Sequence, residues 1–150
     1  MEIGTPIPQV ELIGAGGAIP LGDLPGPLVV YFYPKDDTSG CTREAQDFSA
    51  LADEFAAAGV RVIGVSKDSP ASHAKFVAKY DLGVELASDE SGAVAEAFGV
   101  WGEKKLYGRI FMGLERATFL FGADRRLARA WRKVKVPGHA EAVLAAARSL

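Results

Sequence analysis

The chain has 150 residues, of which 49% are hydrophobic and 24% charged, a composition ordinary for a globular protein that buries one substantial core. Its formal net charge is −2, which does not favour nucleic acid or an anionic membrane as a partner, and no apolar run approaches the roughly 20 residues of a membrane span. The first residues lack the basic and apolar regions of a signal peptide. Together with a single cysteine, this predicts a reducing, cytoplasmic location.

The first half of the chain alternates strand and helix patterns. Residues 1–27 are rich in glycine and proline and predict short edge strands and turns. The next run, PLVVYFYP, is continuously apolar and predicts a strand buried on both faces. After KDDTSG, apolar residues recur at helical spacing from Cys41 to Ala58, and Gly59 is suited to end that helix. VRVIGVS predicts a second buried strand, and Ser69 with Pro70 predicts the next helix start.

The second half predicts a short strand, a third helix, a hairpin and a final helix. The strand lies near Val84–Ala87, and the third helix is capped by Ser88 or Asp89 and ended by Gly99. RATFLF, the turn GADRR and LARAWRKV predict an antiparallel hairpin, and the last helix begins near His139. Its inward-facing residues are Val143, Leu144, Ala147 and Leu150. This order predicts an α/β fold in one domain, 1–150, with a mixed central sheet and helices on both faces, compatible with a thioredoxin-like fold.

Cys41 is the only cysteine, and a lone cysteine is more often a packed structural residue than a reactive one. Here its neighbours KDDTSG and TRE are polar, and it lies where a strand gives way to a helix. The free N–H groups and positive dipole end of a helix stabilise a thiolate. Thr38 can direct its hydroxyl toward the sulfur, and Pro34 can shield the sulfur from water. The pattern predicts a reactive thiol, with no metal site because the two histidines are far apart.

Pro34, Thr38 and Cys41 form the pattern P-x-x-x-T-x-x-C, which resembles the active-site signature of peroxiredoxins. The longer string YFYPKDDTSGCTREA resembles the Q-type group, also called bacterioferritin comigratory proteins. VIGVSKDSPASHAKF, LASDE, FGVWGEKKLYG and ERATFLF are also similar to Q-type segments, so the resemblance covers nearly the whole chain.

The resemblance implies reduction of hydrogen peroxide or organic hydroperoxides without a cofactor. Cys41 would be the peroxidatic residue, Thr38 would hydrogen-bond the thiolate and the peroxide, and Arg116 would supply positive charge. The backbone N–H groups of Gly40 and Cys41 would stabilise the leaving oxygen, and Glu44 would orient Arg116. Taken without the resemblance, Arg116 is a surface arginine at a strand end, Gly40 a turn residue, and Glu44 an ordinary acid in the first turn of a helix.

The chain departs from many Q-type relatives at the positions of a second, resolving cysteine. Gln46, five residues after Cys41, and Val77, on the following helix, occupy those positions. An intramolecular disulfide is therefore excluded, and the resemblance implies an external thiol reductant, either thioredoxin or glutaredoxin with glutathione. The expected state is a monomer or weak homodimer.

Two other functions stay open at this point: a peroxide-sensing regulatory protein without efficient turnover, and a binding module that keeps only the fold. Retention of the complete set of candidate catalytic residues argues against the binding module. His73 is expected to make a structural hydrogen bond near a helix start, and Trp101 to pack at the surface.

Overall fold

The computed structural model describes residues 1–150. Its strands are β1 (Glu11–Gly14), β2 (Gly17–Pro20), β3 (Leu28–Phe32), β4 (Arg61–Ser66), β5 (Glu85–Ser88), β6 (Trp101–Leu106), β7 (Arg109–Leu114), β8 (Ala117–Phe121) and β9 (Leu127–Trp131). Its helices are α1 (Ser39–Ala50), α2 (Ala52–Ala57), α3 (Pro70–Tyr80), α4 (Ala93–Ala97) and α5 (His139–Arg148), and none is long and apolar enough to cross a membrane.

Seven strands form one mixed sheet in the order β2-β1-β5-β4-β3-β8-β9. The central strands β3, β4 and β5 run parallel, joined by helical crossovers, while β8 pairs with β3 in the antiparallel sense. This arrangement confirms the predicted α/β fold with a mixed sheet. The β3–β8 register sets Phe32 opposite Ala117, so the residues after β3 and before β8 meet at the same end of the sheet.

Strand β3 is buried on both faces, as the sequence predicts, because helices or loops cover each side of the sheet. Its alternate side chains enter two separate cores. One core contains Val30, Phe32 and the residues of α4. The other contains Tyr31 and the apolar faces of α1, α2, α3 and α5, which include Phe48. Tyr31 and Phe48 stack with ring centroids 4.5 Å apart, which fixes α1 against the sheet.

Helix boundaries follow the predictions with two differences. Ser69 caps α3, accepting the N–H of Ser72 at 3.1 Å. The long helix after Cys41 is interrupted at Leu51, whose N–H bonds back three residues in a tighter turn. The third helix has Gly92 at its N-cap, although the Asp89 carboxylate accepts two N–H groups of its first turn.

The β6–β7 hairpin has no counterpart among the elements predicted from the sequence, and the last strand and the last helix end earlier than predicted. The hairpin turns at Tyr107 and Gly108, both with positive φ, which is the backbone of a two-residue hairpin turn. It was missed because both faces of this ribbon meet solvent, so the strands show no apolar alternation. Strand β9 ends at Trp131, and Leu150, expected to face inward, is 54% exposed beyond the end of α5.

Candidate active site

Two chain segments far apart in sequence meet at Cys41. Cys41 lies in the first turn of α1, which follows the end of β3, and Arg116 immediately precedes β8. Because β8 pairs with β3, Arg116 reaches the start of α1 across 75 positions of sequence. The sheet register therefore creates this contact.

The guanidinium group of Arg116 connects the sulfur to a carboxylate. Its Nη2 donates to Cys41 Sγ at 3.3 Å, and its Nη1 donates to Glu44 Oε1 at 2.7 Å. Glu44 is three residues after Cys41, so both side chains lie on the same face of α1. Cys41 and Glu44 are each only 1% exposed, and the partly buried guanidinium of Arg116 lies between them, so the three groups form a triad with the cation in the middle.

Burial raises the pKa of Glu44 to about 7, although the Arg116 charge and hydrogen bond lower it. Oε2 of Glu44 is buried and has no hydrogen-bond partner. For Arg116, burial acts to lower the pKa, but Glu44 and Cys41 more than offset this and the pKa is raised. The cation therefore persists while its carboxylate partner is poised to change charge near neutral pH.

A second buried titratable group lies beneath the site. His139 begins α5, and its Nε2 lies 2.7 Å from Oγ1 of Thr118 on β8. Burial lowers the pKa of His139 to about 4, and Arg116 contributes to the shift. The imidazole is consequently neutral at physiological pH and leaves Arg116 as the cation that contacts the sulfur.

The remaining candidate residues, Pro34, Thr38 and Gly40, lie between the end of β3 and the first turn of α1. Thr38 is the N-cap residue of α1, and its hydroxyl donates to the Lys35 carbonyl at 2.8 Å. The backbone N–H groups of Gly40 and Cys41 have no acceptor in the chain, as expected in a first helical turn. Pro34 is exposed in the segment between β3 and α1. The hydroxyl of Thr38 is thus bonded within the segment between β3 and α1 and not to the sulfur of Cys41.

Asp36, which was not predicted from the sequence, anchors the segment between β3 and α1. Its buried carboxylate accepts from the Tyr33 hydroxyl and lies 2.7 Å from Nδ1 of His73 on α3. Nε2 of His73 lies 3.1 Å from the Ala87 carbonyl oxygen, which confirms the structural hydrogen bonding expected of His73. Burial opposes ionisation of Asp36, but hydrogen bonds from His73, Tyr33 and Ser72 lower its pKa. In the sequence, Asp36 belongs to the polar run KDDTSG, which predicts a turn, and nothing in that run indicates that its side chain is buried.

Two large surface grooves do not contain Cys41. One, of about 790 Å³, lies beside Pro27, Glu54 and Arg148, and the other, of about 770 Å³, lies between the β1–β2 hairpin and α3. A hydroperoxide group occupies the space of two oxygen atoms, so it needs no groove of that size. The chemistry of the triad, and not cavity volume, identifies the candidate site.

Comparison with known proteins identifies the family. Residues 3–130 match the AhpC/TSA family. The chain is 52% identical over 122 residues to Peroxiredoxin Bcp of Xanthomonas campestris pv. campestris, covering 81% of this chain and 76% of that one. The chain is a peroxiredoxin of the AhpC/TSA family. Peroxiredoxin Bcp of Bacillus subtilis is 47% identical over 141 residues, covering 93% of this chain and 90% of that one.

A solved structure confirms the fold of this peroxiredoxin. The bacterioferritin comigratory protein of Xanthomonas campestris, studied for alkyl peroxide reduction, superposes with a TM-score of 0.89 at 44% identity, covering 99% of this chain and 98% of that one. The thioredoxin-like fold and the Q-type resemblance are thereby confirmed, and the protein is a thiol-dependent peroxidase. It lacks a resolving cysteine: Gln46 is exposed on α1 and Val77 half-buried on α3.

Proposed function

We propose that this peroxiredoxin reduces hydrogen peroxide and alkyl hydroperoxides by a one-cysteine cycle in which Cys41 is the peroxidatic residue. The observation that carries the proposal is the 3.3 Å contact between Arg116 Nη2 and Cys41 Sγ. A buried thiol alone is an ordinary core residue, whereas a partly buried guanidinium that donates to the sulfur would favour the thiolate.

In the first step the Cys41 thiolate attacks one peroxide oxygen. A sulfur–oxygen bond forms, the oxygen–oxygen bond breaks, and the other oxygen leaves as water or an alcohol after taking up a proton. Negative charge moves from the sulfur to the departing oxygen. Arg116 and the open N–H groups of Gly40 and Cys41 are placed to stabilise it, because they border the sulfur and have donor capacity to spare.

The neighbouring residues support this step. Glu44 bonds Nη1 of Arg116 and so directs Nη2 at the sulfur. The hydroxyl of Thr38 exchanges its bond to the Lys35 carbonyl for one to the thiolate or the peroxide during this step.

In the second step an external thiol regenerates Cys41. Its sulfur attacks the Cys41 sulfenic acid and expels water, which gives a mixed disulfide; a second thiol then releases Cys41. The reductant is thioredoxin, or glutaredoxin with glutathione, and the enzyme acts as a monomer or weak homodimer in the cytoplasm. The absence of any second cysteine supports this cycle.

A peroxide-consumption assay tests the proposal. The wild type should consume many equivalents of peroxide with dithiothreitol, thioredoxin or glutaredoxin as donor, while Cys41→Ser should consume none. If Cys41→Ser retains activity, Cys41 is not the peroxidatic residue. If the wild type consumes only one equivalent with every donor, the protein is a peroxide sensor and the catalytic cycle is wrong.

A further inference from the structure

The β6–β7 hairpin is the most apolar exposed feature of the molecule. Eight large hydrophobic side chains are exposed in the whole chain, and five of them lie on this hairpin. A globular protein rarely concentrates exposed apolar side chains in one place without an interaction to cover them. They are Leu106, Tyr107, Ile110, Phe111 and Met112.

The strand register divides the hairpin into two faces. Side chains opposite one another on paired strands share a face. One face, called the Lys104 face, contains the pairs Lys104–Phe111 and Leu106–Arg109. The Gly102–Gly113 pair lies on the same face and forms a glycine floor without side chains. The opposite or Glu103 face contains the pairs Glu103–Met112 and Lys105–Ile110.

The Lys104 face adjoins the Cys41 site. Strand β7 continues through Glu115 directly into Arg116, and a Cβ on Gly113 would lie 3.1 Å from Cδ of Lys104. The Lys104 side chain therefore runs along the glycine floor toward the base of the hairpin, where Arg116 lies. Burial lowers the pKa of Lys104, Arg116 lowers it further, and Cys41 opposes the shift, which places the ammonium within electrostatic range of both groups.

The charge of the two faces differs. The Lys104 face carries two cations, Lys104 and Arg109, and no acid, whereas Glu103 and Lys105 balance each other on the other face. Residues 101–114 hold three basic and one acidic side chains, and the rest of the chain holds 14 basic and 18 acidic ones. The hairpin is thus a positive, apolar feature on a negatively charged protein, so it complements an acidic surface that has its own apolar patch.

We propose that the Lys104 face is the docking surface for an acidic dithiol protein of the thioredoxin class, which delivers its thiol to the Cys41 sulfenic acid. This inference rests on the proposed one-cysteine cycle. One thiol of the partner attacks the Cys41 sulfur, forms a mixed disulfide and expels water. The partner's second thiol then attacks its own sulfur in that bond, so that Cys41 leaves as thiolate and the partner leaves as a disulfide, having supplied two electrons.

Other occupants fit the surface less well. A small thiol needs only the sulfur and gains nothing from a face that extends to the hairpin tip. A symmetric pair of copies joined through their Lys104 faces would oppose the cations Lys104 and Arg109 of both copies. A head-to-tail contact between the hairpin and the acidic surface of another copy would generate a ring or an open filament of several copies, not the expected monomer or weak dimer.

The experiment compares recycling by a protein reductant with recycling by dithiothreitol, using the full chain. The donors are an acidic bacterial thioredoxin with thioredoxin reductase and NADPH, a dithiol glutaredoxin with glutathione, and dithiothreitol alone.

The test variant is Leu106→Ser with Phe111→Ser on the Lys104 face. The matched control is Ile110→Ser with Met112→Ser on the Glu103 face, where exposure is 62% and 52% against 55% and 44%. Arg109→Glu and Lys105→Glu form a second matched pair, one on each face.

The Lys104-face variants should lower kcat/KM for the protein donor by about tenfold, with unchanged turnover by dithiothreitol, while the Glu103-face variants should change neither. Equal losses on both faces, or no loss on either, overturn the proposal. If the wild type turns over with dithiothreitol but with neither protein, docking is wrong and the one-cysteine cycle stands. If it turns over with no donor, both are wrong. A dimer in sedimentation analysis that Leu106→Ser with Phe111→Ser dissociates would assign the face to a second copy and overturn the proposal.

Discussion

The backbone of Gly40 lies so close to Arg116 that a Cβ at position 40 would stand 3.2 Å from Nη2 of the guanidinium. Nη2 is the atom that donates to the Cys41 sulfur, so the missing side chain of Gly40 leaves room for this contact. The function of this glycine is therefore steric.

Gly40→Ala should separate activity from stability. The φ of Gly40 is not positive and the residue lies in α1, so alanine should keep or increase the stability of the helix by up to about 1 kcal/mol. The displaced guanidinium should slow the reaction of Cys41 with peroxide by about three- to tenfold. Stopped-flow oxidation and thermal unfolding measure the two effects, with Gly16→Ala, where a Cβ would meet nothing within 4 Å, as control. An unchanged oxidation rate would show that this contact does not limit the reaction.

Arg116→Lys should lower the rate of Cys41 oxidation by about 10²-fold, although it keeps the positive charge. The guanidinium uses two nitrogens to hold Cys41 and Glu44 simultaneously, and a single ammonium group cannot reproduce that fork. The rate of Cys41 oxidation is measured by letting the enzyme compete with a reference thiol of known rate for a limiting amount of peroxide. A lysine variant with wild-type rate would mean that charge alone, without the fork, activates the sulfur.

Above the Glu44 pKa of about 7, Arg116→Met should reduce stability as well, because the ionised carboxylate would stay buried without a counter-ion. Removing one partner of a buried pair costs about 3–5 kcal/mol, whereas an apolar replacement of both costs much less. Adding Glu44→Gln to Arg116→Met should therefore restore most of the lost free energy of unfolding but none of the activity. Urea unfolding of the single and double variants checks this, and additive losses would contradict it.

The raised pKa of Glu44 predicts a pH dependence of stability. The pKa of Glu44 is about 7 in the folded protein, against 4.5 for an unperturbed glutamate in the unfolded chain. Between pH 4.5 and 7 the folded protein therefore binds more protons than the unfolded chain. Stability should then fall as the pH rises from about 4.5 to 7, by at most about 3 kcal/mol. Glu44→Gln removes the titration, so its free energy of unfolding relative to wild type should rise across that window. Urea unfolding of both proteins at pH 4.5 and pH 7 measures this difference in the free energy of unfolding. If the difference is the same at both pH values, Arg116 keeps Glu44 ionised throughout.

The contrast between Cys41 and Asp36 shows what the sequence could predict. Cys41, Thr38 and Pro34 lie within one local pattern, and helix and strand periodicities around them are strong, so the central elements and the reactive loop were predictable. Arg116 could be assigned only through resemblance, because its approach to Cys41 depends on the register of β3 against β8. The Asp36–His73 pair joins residues 37 positions apart that carry no paired signal. The hairpin was missed because its exposed faces lack apolar periodicity.

His73→Asn should loosen the loop that carries Thr38 and Cys41. Asp36 would lose the buried partner whose Nδ1 lies 2.7 Å from its carboxylate, and the destabilisation should be about 2–4 kcal/mol. Hydrogen exchange should increase in the segment between β3 and α1, and Cys41 oxidation should slow even though His73 does not touch the sulfur. Asp36→Asn combined with His73→Asn should recover part of the stability. Unchanged exchange in that segment would show that the loop is held by other contacts.

Gln46→Cys should convert the enzyme to a two-cysteine cycle and protect it from overoxidation. Without a resolving thiol, the Cys41 sulfenic acid of the wild type should persist and react with excess peroxide to give the sulfinic acid, so that mass spectrometry finds two added oxygens as activity is lost. Residues five apart on a helix are separated by about 8.7 Å at Cα, beyond the reach of a disulfide, so the start of α1 must unwind for Cys41 to meet a cysteine introduced at position 46. Because Gln46 is exposed, the substitution itself should leave the fold intact.

One equivalent of peroxide should therefore consume both thiols of Gln46→Cys and leave a disulfide, with the loss of two hydrogens by mass. The sulfinic product should be strongly reduced relative to wild type, while Gln46→Ser should overoxidise like the wild type. A cysteine at position 46 that stays reduced while Cys41 overoxidises would show that α1 does not unwind during the cycle. An external thiol would then have to reach the sulfur, which is 1% exposed, by another opening of the site.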